Sequence, residues 1–128
     1  MAIHIVRLGS PRGSGEGLRL GTVRRPPRGV PKADFARRDF YDLWLPILSP
    51  SAPLVKAGLS ALNEKEWRAF TRKFRAEMNA PAAREVLDLL AALSRESNLA
   101  IGCYCEDERR CHRSVLRELL AARGATIA

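Results

Sequence analysis

An uncharged run near the C-terminus constrains the fold of this chain most strongly. Residues 99–105 read LAIGCYC, which fits a strand covered on both faces. Residues 3–8 (IHIVRL) form a similar apolar segment that only Arg7 interrupts. Strands buried on both faces are typical of parallel sheets, in which helices connect consecutive strands. The chain is therefore predicted to have an α/β fold.

Two amphipathic helices are predicted between these segments. Asn63 followed by Glu66 forms a capping box, and apolar residues then recur at helical spacing to about Met78. Pro81 starts a second helix, whose apolar stripe ends near Asn98. The aromatic and leucine residues of both stripes are expected to form the core.

The remaining elements are shorter. Residues 18–24 are predicted to form a strand, and residues 125–127 a short final one. Prolines interrupt the apolar segment 33–62, which favours short helical turns, one of them capped by Ser51. A helix follows the LAIGCYC run and ends at Gly124, with Asp107 as a candidate N-cap.

Together these elements predict one small domain, residues 1–128, with three layers: a short, partly parallel sheet flanked by helices. The chain has the length of one ordinary domain, and 46% hydrophobic residues suffice for a core. Residues 9–17 (GSPRGSGEG) are too rich in glycine and serine for regular structure and are expected to form a mobile loop.

A membrane span is not expected, because the chain has no apolar run of about 18 residues. A signal peptide is not expected either, because only a short apolar stretch precedes the first arginine, Arg7. We therefore expect a cytoplasmic protein whose three cysteines stay reduced. No membrane partner is expected, and the sequence does not predict an oligomeric state.

The positive charge of this protein is concentrated near the N-terminus. The net charge is +8, and residues 1–40 hold nine Arg or Lys against three Asp or Glu. Such a field attracts nucleic acid, a phosphorylated small molecule or an acidic partner. Eighteen of the 22 basic residues are arginine, however, which a GC-rich genome also produces.

A cysteine and histidine cluster, Cys103-x-Cys105-x5-Cys111-His112, is the sharpest local pattern. Zinc binds four such ligands, and Cys103 and Cys105 point to the same side of a strand. Adjacent helical residues diverge by about 100°, so Cys111 and His112 would reach one ion only across a distorted turn. No cofactor or metal is therefore assigned, and zinc stays an alternative.

Thiol chemistry is a second interpretation of the same cluster. A helix N-terminus and nearby arginines favour a thiolate at Cys111, whereas the acidic residues 106–108 oppose it. The structural alternative is that the cysteines fill an interface as small hydrophobic residues. Cys103, Cys111 and His112 are the candidate catalytic residues.

Arginines near the ends of the predicted strands form the second candidate site. Ligands of α/β proteins usually bind beyond the C-terminal ends of the strands, and arginine grips phosphate or carboxylate with two hydrogen bonds. Internal pairing with aspartates 34, 39 and 42 is the alternative. The candidate ligand-binding residues are Arg7, Arg24, Arg28 and Arg113.

Several irregular segments resemble the YeaO-like family, a bacterial group of domains of unknown function. The matching segments, which span most of residues 18–123, are PRGV (residues 27–30), WL (residues 44–45), SPSAPL (residues 49–54) and the helix with Trp67 and Phe70. The family's usual aspartate and tryptophan are replaced here by Val23 and Pro26. CHRS (residues 111–114) with Cys103 is similar to a broader branch of the superfamily. The resemblance implies an α/β fold and a cytosolic bacterial protein.

The leading functional hypothesis is a pocket for an anionic small molecule, phosphorylated or nucleotide-like, at the C-terminal ends of the strands, with the cysteines and His112 beside it. A nucleic-acid-associated basic module is the first alternative. A thiol-redox or zinc site is the second.

Overall fold

The computed structural model describes residues 1–128 and confirms the α/β fold. The chain forms four strands, four α-helices and three short 3-10 turns. The strands are β1 (Ile3–Arg7), β2 (Leu18–Gly21), β3 (Leu43–Trp44) and β4 (Leu99–Cys103). The helices are α1 (Ala52–Leu59), α2 (Glu64–Met78), α3 (Pro81–Leu93) and α4 (His112–Ala122).

The sheet has the order β1-β4-β2-β3, and every pair of neighbouring strands is parallel. Strand β4 lies between β1 and β2, with Ile101 opposite Ile5 on one side and Leu20 on the other. All five residues of β4 are buried, as the uncharged run predicts. Because the strands are parallel, their C-terminal ends share one edge of the sheet.

The helices cover one face of the sheet. Side chains Ile3, Leu20 and Ile101 point to this face and join a 16-residue core cluster. Each of the four helices contributes to the same cluster: α2 supplies four side chains, α3 and α4 supply three each, and α1 supplies one. The amphipathic stripes thus form the core, as the sequence predicts.

Irregular chain covers the opposite face, and two glycines allow it to approach. A Cβ atom at Gly21 would lie 2.3 Å from Cδ2 of Tyr41, and one at Gly102 would lie 2.4 Å from Cδ2 of Leu8. The segment 9–17 packs here as well, since its Glu16 binds the buried Arg19 side chain. The mobility expected of 9–17 stays a prediction, but this ion pair anchors one part of the segment.

Several boundaries differ from those predicted. Helix α3 ends at Leu93, five residues early, because the buried Ser94 hydroxyl turns back to the Ala91 carbonyl oxygen and accepts from the Thr126 amide. The final strand is a single bridge between Ile127 and Ile3. Strand β3 lies where only helical turns were expected.

Two predicted caps also differ. Ser51 occupies the N-cap position of α1, but its side chain makes no capping hydrogen bond. Asp107 caps a 3-10 turn, Glu108–Arg110, and the N-cap of α4 is Cys111. The cysteine therefore lies at the N-terminus of the helix itself.

Candidate functional site

A cavity of about 620 Å³ opens at the edge where the strands end. Residues that follow β2 and β4 form its floor, and the first residues of α1 and α4 border it. Eighteen residues line the cavity, ten of them hydrophobic, and none is Asp or Glu. All three cysteines and His112 are among them. The cavity therefore coincides with the cysteine and histidine cluster.

The three candidate catalytic residues meet in the floor. The Cys103 and Cys111 sulfurs and a ring nitrogen of His112 all lie within 4.8 Å of one another. The Cys111 Sγ is 3.7 Å from His112 Nδ1, and the Cys105 Sγ is 3.7 Å from the Cys103 Sγ. The structure thus brings together the whole predicted cluster.

An extended N-cap explains how adjacent residues can face one point. Cys111 has φ −136° and ψ 150°, so it is not helical, and His112 is the first residue of α4. The divergence of about 100° that was expected applies only when both residues are helical. The geometric objection to a shared site at Cys111 and His112 is therefore wrong.

The His112 ring is held in one orientation. Its Nε2 lies 2.6 Å from the Thr22 carbonyl oxygen, which can only accept a hydrogen bond, so Nε2 carries a proton. In the neutral ring, Nδ1 is then an unprotonated acceptor facing Cys111. The ring of Phe74 packs edge-on against the imidazole with centroids 5.5 Å apart. Backbone and core packing thus fix the tautomer and the direction of Nδ1.

The sulfurs of the cluster differ in acidity. Hydrogen bonds from the Cys103 and Cys105 thiols lower the pKa of Cys111 well below its ordinary value, although burial acts in the opposite direction. Contacts with Cys105 and Cys111, together with burial, raise the pKa of Cys103. The same contacts therefore shift the pKa values of Cys111 and Cys103 in opposite directions.

Arg113 supports the cluster from inside the protein. It is only 3% exposed, and its Nε lies 3.3 Å from the Cys111 Sγ. Its other nitrogens donate to the carbonyl oxygens of Val6, at 2.7 Å, and Cys105, at 2.5 Å. Although Arg113 was predicted to bind a ligand, it does not line the cavity.

Of the other predicted ligand-binding arginines, only Arg24 lines the cavity. Its Nε donates to the Pro50 carbonyl oxygen at 3.0 Å, and Nη2 reaches those of Pro46 and Ser49, both at 3.2 Å. Arg24 thereby fixes the chain that leads into α1. The contacts with Ser49 and Pro50 join the chain that follows β2 to the serine-proline segment of the family resemblance.

Arg7 and Arg28 lie outside the cavity. Arg7 donates from Nε to the Tyr104 carbonyl oxygen at 3.2 Å and pairs with Glu106 at 3.5 Å. Arg28 is exposed and away from the lining residues. Neither is placed to contact a molecule in the floor of the cavity.

Three further cationic residues line the cavity: Arg25, Lys56 and Arg110. Arg110 also lies over the Trp67 ring, 5.7 Å from the centroid, and pairs with Glu64. Sequence reasoning noted Arg110 only as one of the arginines near Cys111 and assigned none of the three to a ligand site. Lys56 lies outside the loops that follow the predicted strands, whereas Arg25 directly follows Arg24 and Arg110 lies five residues after the LAIGCYC run, so both had a usable signal.

Much of the N-terminal positive charge is used internally. Arg12 pairs with Asp42 at 2.8 Å and Asp39 at 3.2 Å, and these contacts raise its pKa. Arg19 is fully buried against Glu16 at 2.7 Å. These arginines are unavailable to the nucleic-acid alternative, which depends on an open basic face.

Comparison with protein families identifies the group to which the chain belongs. The family DUF488-N3a, described as the active DUF488-N3 subclade, matches residues 3–124. The chain is a DUF488-N3a protein. YeaO-like proteins are DUF488 members, so the match confirms the family resemblance seen in the sequence. Comparisons of this DUF488-N3a chain with curated proteins and with solved structures gave no match.

The helices of the DUF488-N3a chain are all too short or too polar to cross a bilayer.

Proposed function

We propose that the cavity binds an anionic small molecule with an apolar body and presents it to Cys103, Cys111 and His112. The observation that carries this proposal is the charge of the lining. Four cationic side chains line the cavity and no carboxylate does: Arg24, Arg25, Lys56 and Arg110. Arg110 also pairs with Glu64, which does not line the cavity. Arg25 and Lys56 form no ion pair, and such cations in a concave site attract an anion and raise its local concentration.

Two helix N-termini reinforce this charge. Helix α1 begins at Ala52 and helix α4 at His112, and both residues line the cavity. The first backbone N–H groups of a helix carry partial positive charge and donate readily to anions. An anionic group near the strand ends would therefore meet both fixed charges and backbone donors.

The apolar lining argues for a ligand that is more than an inorganic ion. Ten of the eighteen lining residues are hydrophobic, among them Val55 and Leu59 of α1 and Trp67 and Phe70 of α2. Such walls gain free energy only by covering apolar surface of a ligand. A ligand with an apolar or aromatic part and one anionic group fits both the hydrophobic and the cationic residues of the lining.

The cluster in the floor supplies reactive side chains next to this ligand. Sulfur and imidazole groups at mutual distances below 4.8 Å are suited to nucleophilic or metal-assisted reactions. The description of the family as an active subclade is consistent with such chemistry. The proposal places the reacting part of the ligand against these three residues.

Anilinonaphthalene sulfonate, an anionic apolar dye, provides a direct test when compared with the uncharged phenylnaphthylamine. We expect the double variant Arg25→Ala, Lys56→Ala to bind the anionic dye at least about fivefold more weakly. The loss of ionic contacts between an anion and two exposed cationic side chains lowers the affinity by about this factor. Fluorescence titration measures both dyes. The uncharged dye should bind wild type and variant equally.

The double variant Arg28→Ala, Lys32→Ala is the matched control, since it removes the same charge from exposed positions outside the cavity. It should bind the anionic dye like the wild type. Equal weakening by both double variants would show that net charge alone attracts the dye and would refute the proposed site.

A further inference from the structure

We infer that Cys103, Cys111 and His112 together bind one Zn²⁺ ion and leave its fourth coordination position open toward the cavity. This inference goes beyond anion binding, because the metal site would form whether or not a ligand occupies the cavity. Two thiolates and one imidazole are a ligand set that suits zinc.

The separations of the ligand atoms suit one tetrahedral ion. Zinc binds sulfur at about 2.3 Å and imidazole nitrogen at about 2.0–2.1 Å, which places neighbouring ligand atoms roughly 3.6–3.8 Å apart. The observed distance from Cys111 Sγ to His112 Nδ1 is 3.7 Å. The remaining separations within the group of three do not exceed 4.8 Å. Side-chain shifts of less than about 1 Å would complete the site.

His112 is already arranged as a metal ligand. Zinc-binding histidines usually donate their second ring N–H to a carbonyl or carboxylate oxygen, which fixes the tautomer. Here Nε2 donates to the Thr22 carbonyl oxygen at 2.6 Å, so the lone pair of Nδ1 faces the sulfurs. A histidine that served only to fill the core would not need to direct its Nδ1 toward the sulfurs.

The burial and charge of the residues around the sulfurs also suit a site in which two thiolates bind a metal ion. Cys103, Cys111 and His112 are each at most 7% exposed. Two buried thiolates would be costly without compensation, but Zn²⁺ neutralises them. The Arg113 Nε at 3.3 Å from the Cys111 Sγ adds a hydrogen bond of the kind that supports zinc-bound sulfur.

The position of Cys105 distinguishes an open site from a closed one. Its sulfur contacts that of Cys103 at 3.7 Å and also contacts Cys111, but it does not belong to the group of three ligand atoms that all lie within 4.8 Å of one another. Three protein ligands with a free fourth position are typical of catalytic zinc, whereas four are typical of structural zinc. The free position would face the cavity, which the three ligands line.

The experiment uses the full chain purified under reducing conditions, with metal content determined by elemental mass spectrometry. We expect one zinc per chain in the wild type and in Cys105→Ser. Cys103→Ser and His112→Gln should each bind added Zn²⁺ more than about 100-fold more weakly than the wild type. This loss exceeds the loss expected when a residue that only supports a metal ligand is replaced. Circular dichroism checks that each variant is folded.

Replacement of zinc by Co²⁺ in the wild type gives a readout that needs no variant. A tetrahedral site with two thiolates should show intense visible bands and a thiolate-to-cobalt charge-transfer band about twice as strong as the band that one thiolate gives. A wild type that binds neither Zn²⁺ nor Co²⁺ while its reduced thiols remain free to alkylate would overturn the inference. Loss of zinc in Cys105→Ser would overturn the open fourth position. Because the dye titration can be run on the chelator-treated chain, failure of the metal site and failure of anion binding are distinguishable.

Discussion

Arg19 is an arginine that behaves as a core residue. Its side chain is fully buried, and its guanidinium donates to both carboxylate oxygens of Glu16, at 2.7 and 3.2 Å. It also donates to the carbonyl oxygens of Ser10 at 2.8 Å and Asp39 at 2.6 Å. One side chain therefore joins the 9–17 segment and the chain before β3 to the sheet.

Glu16→Gln should destabilise the fold by about 3 kcal/mol at neutral pH, because it leaves a buried guanidinium without its counter-charge. Burial alone would raise the pKa of Glu16, but the hydrogen bonds from Arg19 and the Gly13 amide, together with the charges of Arg19 and Arg12, outweigh it and the pKa is lowered. The stability that Glu16 contributes is therefore present above the unfolded-state pKa of about 4.3 and is lost as the pH falls further. Urea unfolding at a series of pH values should show the difference between variant and wild type narrowing below about pH 4. A difference that is constant across this range would contradict the role of the ion pair.

Individual residues of the site were only partly predictable. Cysteine and histidine are recognisable by type and spacing, so Cys103, Cys111 and His112 were identified from the sequence. Their convergence depends on the extended backbone of Cys111, which arises because the preceding 3-10 turn ends there. Arg19 could not be distinguished from other arginines, since its burial depends on Glu16 and on carbonyl groups brought in by the fold.

At the scale of elements, the stability contributed by the N-cap side chain of α2 can be compared with that contributed by the N-cap side chain of α1. The Asn63 side chain accepts from the Glu66 amide at 2.9 Å, and the Glu66 carboxylate accepts from the Leu62 amide at 2.9 Å. Asn63→Ala should lower the free energy of unfolding by about 1 kcal/mol, the usual loss for an N-cap. Ser51→Ala is the control, because Ser51 holds the same position in α1 without a capping bond. Chemical denaturation that shows equal losses for both would argue against the cap.

Elements with a strong repeating pattern were predicted well. Helix α2 has a capping box and a regular aromatic stripe, and it was placed to within a residue. Strand β3 has two residues, both exposed, so its sequence has no alternation of buried and exposed side chains to detect. It pairs with β2 alone. The end of α3 was missed because a contact between Ser94 and Thr126, far apart in the chain, determines it.

At the scale of the whole molecule, the central position of β4 predicts where the protein opens last. Strand β4 is hydrogen-bonded on both sides and fully buried, whereas β3 is an exposed edge of two residues. Amide hydrogen exchange followed by mass spectrometry should find the peptide covering 99–103 in the slowest class and that covering 43–44 among the faster ones. Equal rates for the two peptides would show that the sheet opens as one unit.

The strand order also has a consequence for synthesis on the ribosome. Strand β1 pairs with no other named strand than β4, so nearly one hundred residues must leave the exit tunnel before β1 finds its partner. Until then its apolar edge is open to other nascent chains, and the sheet is limited to β2 and β3. Translation pauses between the emergence of β1 and the emergence of β4 would lengthen this exposure, whereas later pauses would not.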